Sequence, residues 1–298
     1  MPPPSRDAVL VANLRSRRTA DVFARVRQSL SQRGISIVES HAVHDGPSLV
    51  AHVRSAVRDG IGLVLVGGGD GSMTNVVGEL AHKRSVLGVL PFGTGNSFAQ
   101  SLGIRNLDEA VDAIVDGEAA LVDVGTVNGR HFANFATVGL SSAIARNTPT
   151  ALKKWLGPAA YVVAGIAPLF RSGAFKAKIR CDGKKMKLRT HQVIVANGRY
   201  FGSTPVLPDA TLVDGRLSLF TTSGLTRWEV VRMFVAFYRS EQTRLAEADY
   251  LSATEILVET EPRQYLDIDG EALGKTPARF GVDRKALRVM VPRGFTGT

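Results

Sequence analysis

Apolar residues in the first third of the chain fall into short continuous runs separated by stretches of helical periodicity. Ala8 to Ala12, Ile35 to Val38, Leu63 to Val66 and Val86 to Leu90 each predict a buried strand. Between them, Phe23, Val26 and Leu30 share one helical face, with Thr19 or Asp21 placed to cap that helix and Gly34 to end it. Leu49, Val50, Val53 and Val57 mark a second helix closed by Asp59-Gly60, Met73 to His82 a third, and Asn96 to Leu102 opens a fourth. Apolar strands alternating with helices predict a mostly parallel sheet covered on both faces.

After about residue 122 the pattern changes. Strand-like segments lengthen and are joined by Asn128-Gly129, Asp182-Gly183, Asp214-Gly215 and Asp269-Gly270, the chemistry of tight reversals. Two helical insertions, roughly 150–171 and 226–240, interrupt them. This half predicts an antiparallel, sandwich-like β-rich domain. The expected fold is therefore α/β in two parts, an α/β domain over residues 1–122 and a β-rich domain over 123–298. A length of 298 residues agrees with two cores, because a single core stops growing near ~250–300 residues.

Composition narrows the class. With 44% hydrophobic and 21% charged residues, the chain is globular and not disordered. The longest apolar stretch, Tyr161 to Phe170, is about half of a bilayer span and contains Pro168, and Met1 to Arg6 lacks the apolar core of a signal peptide. The one cysteine, Cys181, can form no internal disulfide, so a reducing, cytoplasmic setting is expected. A net charge of +10 favours a polyanionic partner: nucleic acid, an anionic membrane surface or a phosphorylated substrate. A generally basic, soluble surface is the plainer reading. No zinc-finger spacing, basic zipper or RNA-binding aromatic pattern accompanies the charge, so no nucleic-acid partner is expected.

The strongest motif is Val66-Gly-Gly-Gly-Asp-Gly-Ser-Met-Thr-Asn75, a buried strand running into glycines and then a helix start. Glycines there let backbone N–H groups approach a phosphate, and the helix N-terminus adds its positive dipole. A carboxylate in such a loop would repel phosphate unless it served a metal or a proton, so Asp70 reads as an Mg²⁺–nucleotide or catalytic group, or else as a helix N-cap. Neither the P-loop nor the dinucleotide fingerprint matches. A second strand–loop–helix element, Leu87 to Gln100, would meet the first across the crevice at the carboxyl edge of the sheet, where Thr94 and Asn96 can hydrogen-bond a nucleotide.

Together the two loops resemble the diacylglycerol-kinase catalytic family, which includes bacterial lipid kinases, sphingosine kinases and ceramide kinases. The resemblance runs through Gly68 to Ser72, Pro91 to Asn96 with Phe98-Ala99, and Val122 to Gly125 with Phe132 and Asn134. It continues through Asn197 to Tyr200, Pro208 to Ala210 with Asp214-Gly215, and Asp269-Gly-Glu271. It implies a nucleotide-binding α/β domain, a β-rich lipid domain and an active site between them.

By that resemblance ATP–Mg²⁺ falls on Gly68, Gly69, Asp70, Gly71 and Ser72, with Thr94 beside the phosphates and Ser40, taken to follow the second strand, as a further nucleotide contact. Glu271 matches the general base for the lipid hydroxyl, and Asp123 an acidic residue lining the cleft. Asp214 matches a ligand of a structural Mg²⁺, helped by the carbonyls that spacing puts at Thr211 and Arg216. The chain departs from the family at Ser72, Thr74-Asn75 and Ser97, at Asn13 to Arg17 and at Gly202 to Thr204, which bears on the choice of lipid.

Without the resemblance, Asp214 and Asp269 are also plain turn formers and Glu271 a solvated loop charge, whereas Asp123 sits in an apolar strand where an unpaired carboxylate is costly. Rival functions are a hydrolase, suggested by Gly95-Asn-Ser97-Phe-Ala99, an NAD kinase sharing the Gly-Gly-Asp-Gly loop, and a nucleotide- or lipid-binding protein that has lost catalysis. The expected function is an ATP-dependent kinase of a membrane lipid alcohol: diacylglycerol, ceramide or a sphingoid base. It would associate peripherally with anionic membranes through Lys153, Lys154, Trp155 and Leu156, or through Arg227, Trp228, Arg232, Met233 and Phe234. Core packing with snorkelling basic side chains is the alternative for both segments.

Overall fold

The computed structural model describes residues 5–14, 17–140, 173–201, 204–205, 207, 209–224, 226, 228–230, 232, 250–269 and 271–297. The first part alternates β1 (Asp7–Asn13), α1 (Arg17–Gln32), β2 (Ser36–Val43), α2 (Gly46–Arg58), β3 (Leu63–Gly68), α3 (Asp70–Leu80), β4 (Val86–Pro91), α4 (Ser97–Ser101) and α5 (Leu107–Asp116). The strands pair in parallel in the order β2-β1-β3-β4. Every residue of β3 and β4 is buried, because Leu30 of α1, Leu49 of α2, Val76 of α3 and Ile114 of α5 belong to the same core as the strands. Two helix starts are fixed by side chains: Asp45 accepts from Ser48 N at 2.7 Å, and Asn106 from Glu109 N at 2.9 Å.

The remainder runs β5 (Glu118–Val127), β6 (Arg130–Phe132), β7 (Phe135–Gly139), β8 (Phe175–Cys181), β9 (Lys184–Thr190) and β10 (Gln192–Ala196). It continues with β11 (Tyr200–Phe201), β12 (Thr204–Pro205), β13 (Leu217–Thr221), β14 (Tyr250–Ala253), β15 (Glu255–Glu261), β16 (Tyr265–Ile268), β17 (Glu271–Lys275) and β18 (Ala278–Val291). Among the described residues, β14-β13-β10-β7-β16-β17 form an antiparallel sheet. The last strand returns to the first sheet: β18 pairs parallel with β4 and antiparallel with β5 and β15, and β8 and β9 extend that sheet to its edge. A second core lies between this extension and the antiparallel sheet, packing Ile179 and Ile256 with Val138, Val193 and Leu219. The fold is thus an α/β domain with mostly parallel strands followed by a β-rich sandwich.

Several expectations shift. α1 begins at Arg17, ahead of both proposed caps, and α5 did not stand out as a separate periodic segment. Asn128-Gly129 and Asp182-Gly183 are two-residue reversals with φ between +45° and +84°, and Asp269, at φ +46°, begins the reversal from β16 to β17. Asp214-Gly215 is no hairpin: Asp214 accepts from Arg216 N at 2.9 Å in a local turn that leads into β13. The insertion at 150–171 lies outside the described residues, with Lys153, Lys154, Trp155 and Leu156. Of the second membrane segment, Arg227, Met233 and Phe234 lie outside them too, while Trp228 is 68% exposed. Among the described residues no helix is long and apolar enough to cross a membrane.

Candidate active site

β3 and β4 lie side by side, so their carboxyl ends deliver both glycine loops to one place. The loops touch: a Cβ on Gly93 would lie 2.6 Å from the Cα of Gly69. Only glycine permits that approach. Asn96 shapes the second loop. It adopts φ +51°, its Oδ1 accepts from Gly93 N at 2.9 Å and its Nδ2 donates to Gly93 O at 2.8 Å. Both ends of its amide therefore hold the loop. Thr94 stands exposed at the tip, and Ser72 is buried within the first turn of α3 beside Gly68.

Asp70 opens α3 and joins three segments. Its Oδ2 accepts from Ser97 Oγ at 3.1 Å, and its Oδ1 accepts from Phe98 N at 3.2 Å and from Asn134 Nδ2 at 3.0 Å. The serine at position 97 is fully buried, so this hydroxyl serves the carboxylate directly. Asn134 reaches a second carboxylate as well: its backbone N donates to Asp269 Oδ2 at 3.4 Å, and Phe135 N donates to Asp269 Oδ1 at 3.2 Å. The Thr74 hydroxyl on α3 donates to Asp269 too, and Thr74 Oγ1 accepts from Ala133 N at 3.2 Å. Burial, with the nearby Asp70 charge second, pushes the Asp269 carboxyl up to about 7, against the pull of these three donors.

Glu271 begins β17, paired with Ile268 across the reversal that Asp269 starts, so its backbone is adjacent to this cluster. Its side chain lies outside the described residues. Next to the two carboxylates, Asn134 Oδ1 is a buried oxygen without a hydrogen-bond partner among the described residues. Among the described residues no group of three or more His, Cys, Asp or Glu is arranged to hold a metal by itself. Two carboxylates and a free amide oxygen instead make the incomplete set of hard donors that Mg²⁺ shares with phosphate oxygens and water.

The other expected residues lie elsewhere. Ser40 is inside β2 and not after it, level with Leu10 and Leu65, two residues short of the level of Gly67. That register removes it from the loops. Asp123 is buried and does not line an open cleft: its Oδ2 accepts from Gly215 N and its Oδ1 from Lys285 N, both at 2.7 Å. It braces the turn before β13 and the bulge in β18, where Lys285 has φ +52°. Asp214, Thr211 and Arg216 share that turn. Partial desolvation raises the Asp214 pKa, with Asp123 adding to the rise and Arg216 N opposing it. The Arg216 side chain leaves for Ser252 and Asp182.

Sequence reasoning assigned no role to Asp269, Ser97, Thr74 or the amide of Asn134. Asp269 is visible there as part of the resemblance and as a turn former before glycine, which it also is, but without a role in the site. Its partners Thr74 and Asn134 are 195 and 135 residues away in the chain, a pairing that a single sequence does not display.

Comparisons with known proteins bear on the family and the fold. Residues 7–127 match the family model of a diacylglycerol kinase catalytic domain, and residues 135–291 match that of a YegS C-terminal NAD kinase beta sandwich-like domain. A diacylglycerol kinase of Bacillus subtilis (strain 168) is 30% identical over 91% of each chain. One from Staphylococcus aureus (strain JH9) is 31% identical over 80% of this chain and 76% of its own. The crystal structure of a diacylglycerol kinase from Bacillus anthracis str. Sterne superposes with a TM-score of 0.77 at 24% identity, covering 96% of this chain and 97% of that one.

Proposed function

Since the chain belongs to the diacylglycerol kinase family, whose members are lipid kinases that phosphorylate an alcohol group, we propose that it transfers the γ-phosphate of ATP to the hydroxyl of a membrane lipid alcohol. Diacylglycerol is the first choice of acceptor, with ceramide and sphingoid bases next. The observation that carries the reading is Asp70, held between two touching glycine loops and beside Asp269 on the reversal that leads to Glu271.

Bound ATP–Mg²⁺ supplies the phosphoryl group and the positive charge that offsets its oxygens. The chain's own residues do the rest. The loop Gly68 to Ser72, at the start of α3, receives phosphate oxygens, and Thr94 flanks them. Asp70, Asp269 and Asn134 Oδ1 offer the cation its oxygens. Glu271 accepts the proton of the lipid hydroxyl as that oxygen attacks. Asp269 fixes the start of the reversal ahead of Glu271 by anchoring it to Asn134, Phe135 and Thr74. A structural Mg²⁺ at Asp214, with the carbonyls of Thr211 and Arg216, belongs to the same proposal, supported by the desolvated carboxyl there.

Radiolabelled ATP offered with a panel of lipid alcohols tests the reading, the product being resolved by mobility. Label on a lipid, dependent on Mg²⁺, is expected. The β-sandwich match of residues 135–291 favours a second reading, an NAD-kinase-like phosphotransferase, and label on NAD alone would establish it. The +10 charge supports a peripheral seat on an anionic membrane.

A further inference from the structure

The hairpin β8–β9, residues 175–190, carries seven Lys and Arg against one acid, a net +6 in a chain whose total is +10. Its alternation sorts these charges. Phe175, Ala177, Ile179 and Cys181 face the core, while Lys176, Lys178 and Arg180 are exposed. The register then sets Lys176 opposite Arg189, Lys178 opposite Lys187 and Arg180 opposite Lys185, all on the outer face. Three successive rungs thus put cation against cation, an arrangement that destabilises a sheet.

Protection of a sheet edge explains lysines on β9, the terminal strand, but not the matching three on β8, which lies between β15 and β9. Neighbouring acids offset the ladder only in part, two against six. Glu259 and Glu261 on β15 stand opposite Lys178 and Lys176, yet among the described residues none of the six cations makes an ion pair within 4.0 Å. Asp182, the hairpin's acid, faces Thr254 N, Glu255 N and Arg216. What remains is an open groove of ≈ 700 Å³ lined by four cations, Lys176, Lys178, Lys187 and Arg189, against two acids, Glu259 and Glu261.

We infer that this face docks the protein on the anionic leaflet of a lipid bilayer; the choice of partner rests on the lipid-kinase reading above. Charge complementarity carries it: phosphate-bearing headgroups at the leaflet surface neutralise the cations in excess of Glu259 and Glu261 on this face. The six outward residues include no aromatic on which bases could stack, which sets nucleic acid behind a bilayer.

The experiment compares three full-length proteins on vesicles of phosphatidylcholine alone and with phosphatidylglycerol added: wild type, Lys176→Glu/Lys178→Glu/Lys187→Glu, and a control Arg25→Glu/Arg27→Glu/Arg84→Glu with the same charge change on exposed sites elsewhere. Thermal melts confirm that each is folded, and each is assayed on lipid alcohol dispersed in detergent. Wild type and control should bind anionic vesicles, salt-sensitively, while the hairpin variant loses on the order of 10²-fold or more in affinity. Its detergent-phase kinase activity should be unchanged. Equal anionic-vesicle binding by the hairpin variant and wild type overturns the docking face but leaves the kinase reading intact. A wild type that binds vesicles through this face yet labels no lipid overturns the kinase reading alone. Binding of RNA but not vesicles by the wild type, lost in the hairpin variant, overturns the membrane partner in favour of nucleic acid.

Discussion

Asp70 with Asp269 and Asp123 with Asp214 are two pairs of carboxylates with similar electrostatics and, on the function proposed above, different purposes. In each pair desolvation and the neighbouring charge raise the pKa of one member: Asp269 up to about 7, and Asp214 above its ordinary value. In each pair the other member accepts several hydrogen bonds. The donors differ. Asp123 is closed by backbone N–H groups of Gly215 and Lys285, so its charge stabilises a turn and a bulge. Asp70 is held by Ser97, the start of α4 and Asn134, where two glycine loops meet and an amide oxygen is left without a partner. Burial and a shifted pKa are therefore common to a brace and a site, and the identity of the donors separates them.

The largest effect that tests this contrast is on Asp70. Asp70→Asn keeps the shape but removes the charge, and turnover should fall roughly 10²–10⁴-fold, the usual cost of losing an acid–base or cation-holding group, with little change in melting temperature. Glu271→Gln should lower turnover on the same scale while nucleotide affinity stays near wild type. Single-turnover labelling and nucleotide titration separate the two variants. Near wild-type turnover in Asp70→Asn would sink the assignment of this pair as the site.

Next in size is Ser97→Asp. It buries a third carboxylate against Asp70 and Asp269 at a position with no solvent exposure. In chelator the variant should lose about 3–5 kcal/mol, the scale of an uncompensated buried charge. Mg²⁺ with nucleotide should return more stability to it than to wild type, because a cation relieves the added repulsion. Denaturant titrations with and without Mg²⁺ measure both. A variant equally stable in chelator and in Mg²⁺ would mean that no cation enters this cluster.

Most of the α/β half was legible because its information is local. Continuous apolar runs gave β1, β3 and β4, and the glycines between strand and helix gave both loops. The reversals at Asn128-Gly129 and Asp182-Gly183 were legible for the same reason, since positive φ selects those residues within two positions. The rest depends on contacts made after folding. Asp214-Gly215 has the composition of a hairpin, but Asp123, 92 residues earlier, captures Gly215 N and makes it a braced turn. Ser40 looked like a residue after a strand because β2, only partly buried, hides its end. Thr74 reads in the sequence only as a departure from the family, whereas its hydroxyl reaches Asp269, 195 residues along the chain.

The brace has its own test, smaller than those on the site. Asp123→Asn offers one acceptor where two amides need one each, so Gly215 N or Lys285 N meets an NH₂ group. Loss of one buried, charge-assisted hydrogen bond should cost about 2–3 kcal/mol. Turnover per folded molecule, assayed well below the melting temperature, should stay within a few-fold of wild type. Loss of activity in a variant that melts like wild type would put Asp123 back in the cleft and erase the distinction between the pairs.

The smallest effect lies in the pH dependence of stability and concerns Asp269. Its pKa is about 7 in the folded protein against an ordinary 3.8, so the folded state keeps a proton that the unfolded chain releases. The sign follows from linkage: where the native state binds more protons, stability falls as pH rises. For this carboxyl the fall starts near the unfolded value, continues to about 7 and then stops. Asp269→Asn cannot titrate, so the melting temperature of wild type minus that of the variant should decline between about pH 4 and about pH 7 and be level above. Taking the difference cancels the other titrating groups, including Asp283, whose pKa is lowered because hydrogen bonds from His131 and His82 outweigh its desolvation. Asp214→Asn should show a shallower decline, since that residue is more exposed to solvent. Saturating Mg²⁺ should flatten the Asp269 curve by favouring the ionised pair. Melts of the three proteins across this pH range, in chelator and in Mg²⁺, provide the measurement. A flat difference in chelator would mean that Asp269 is ionised throughout, its three donors having overcome burial and the Asp70 charge.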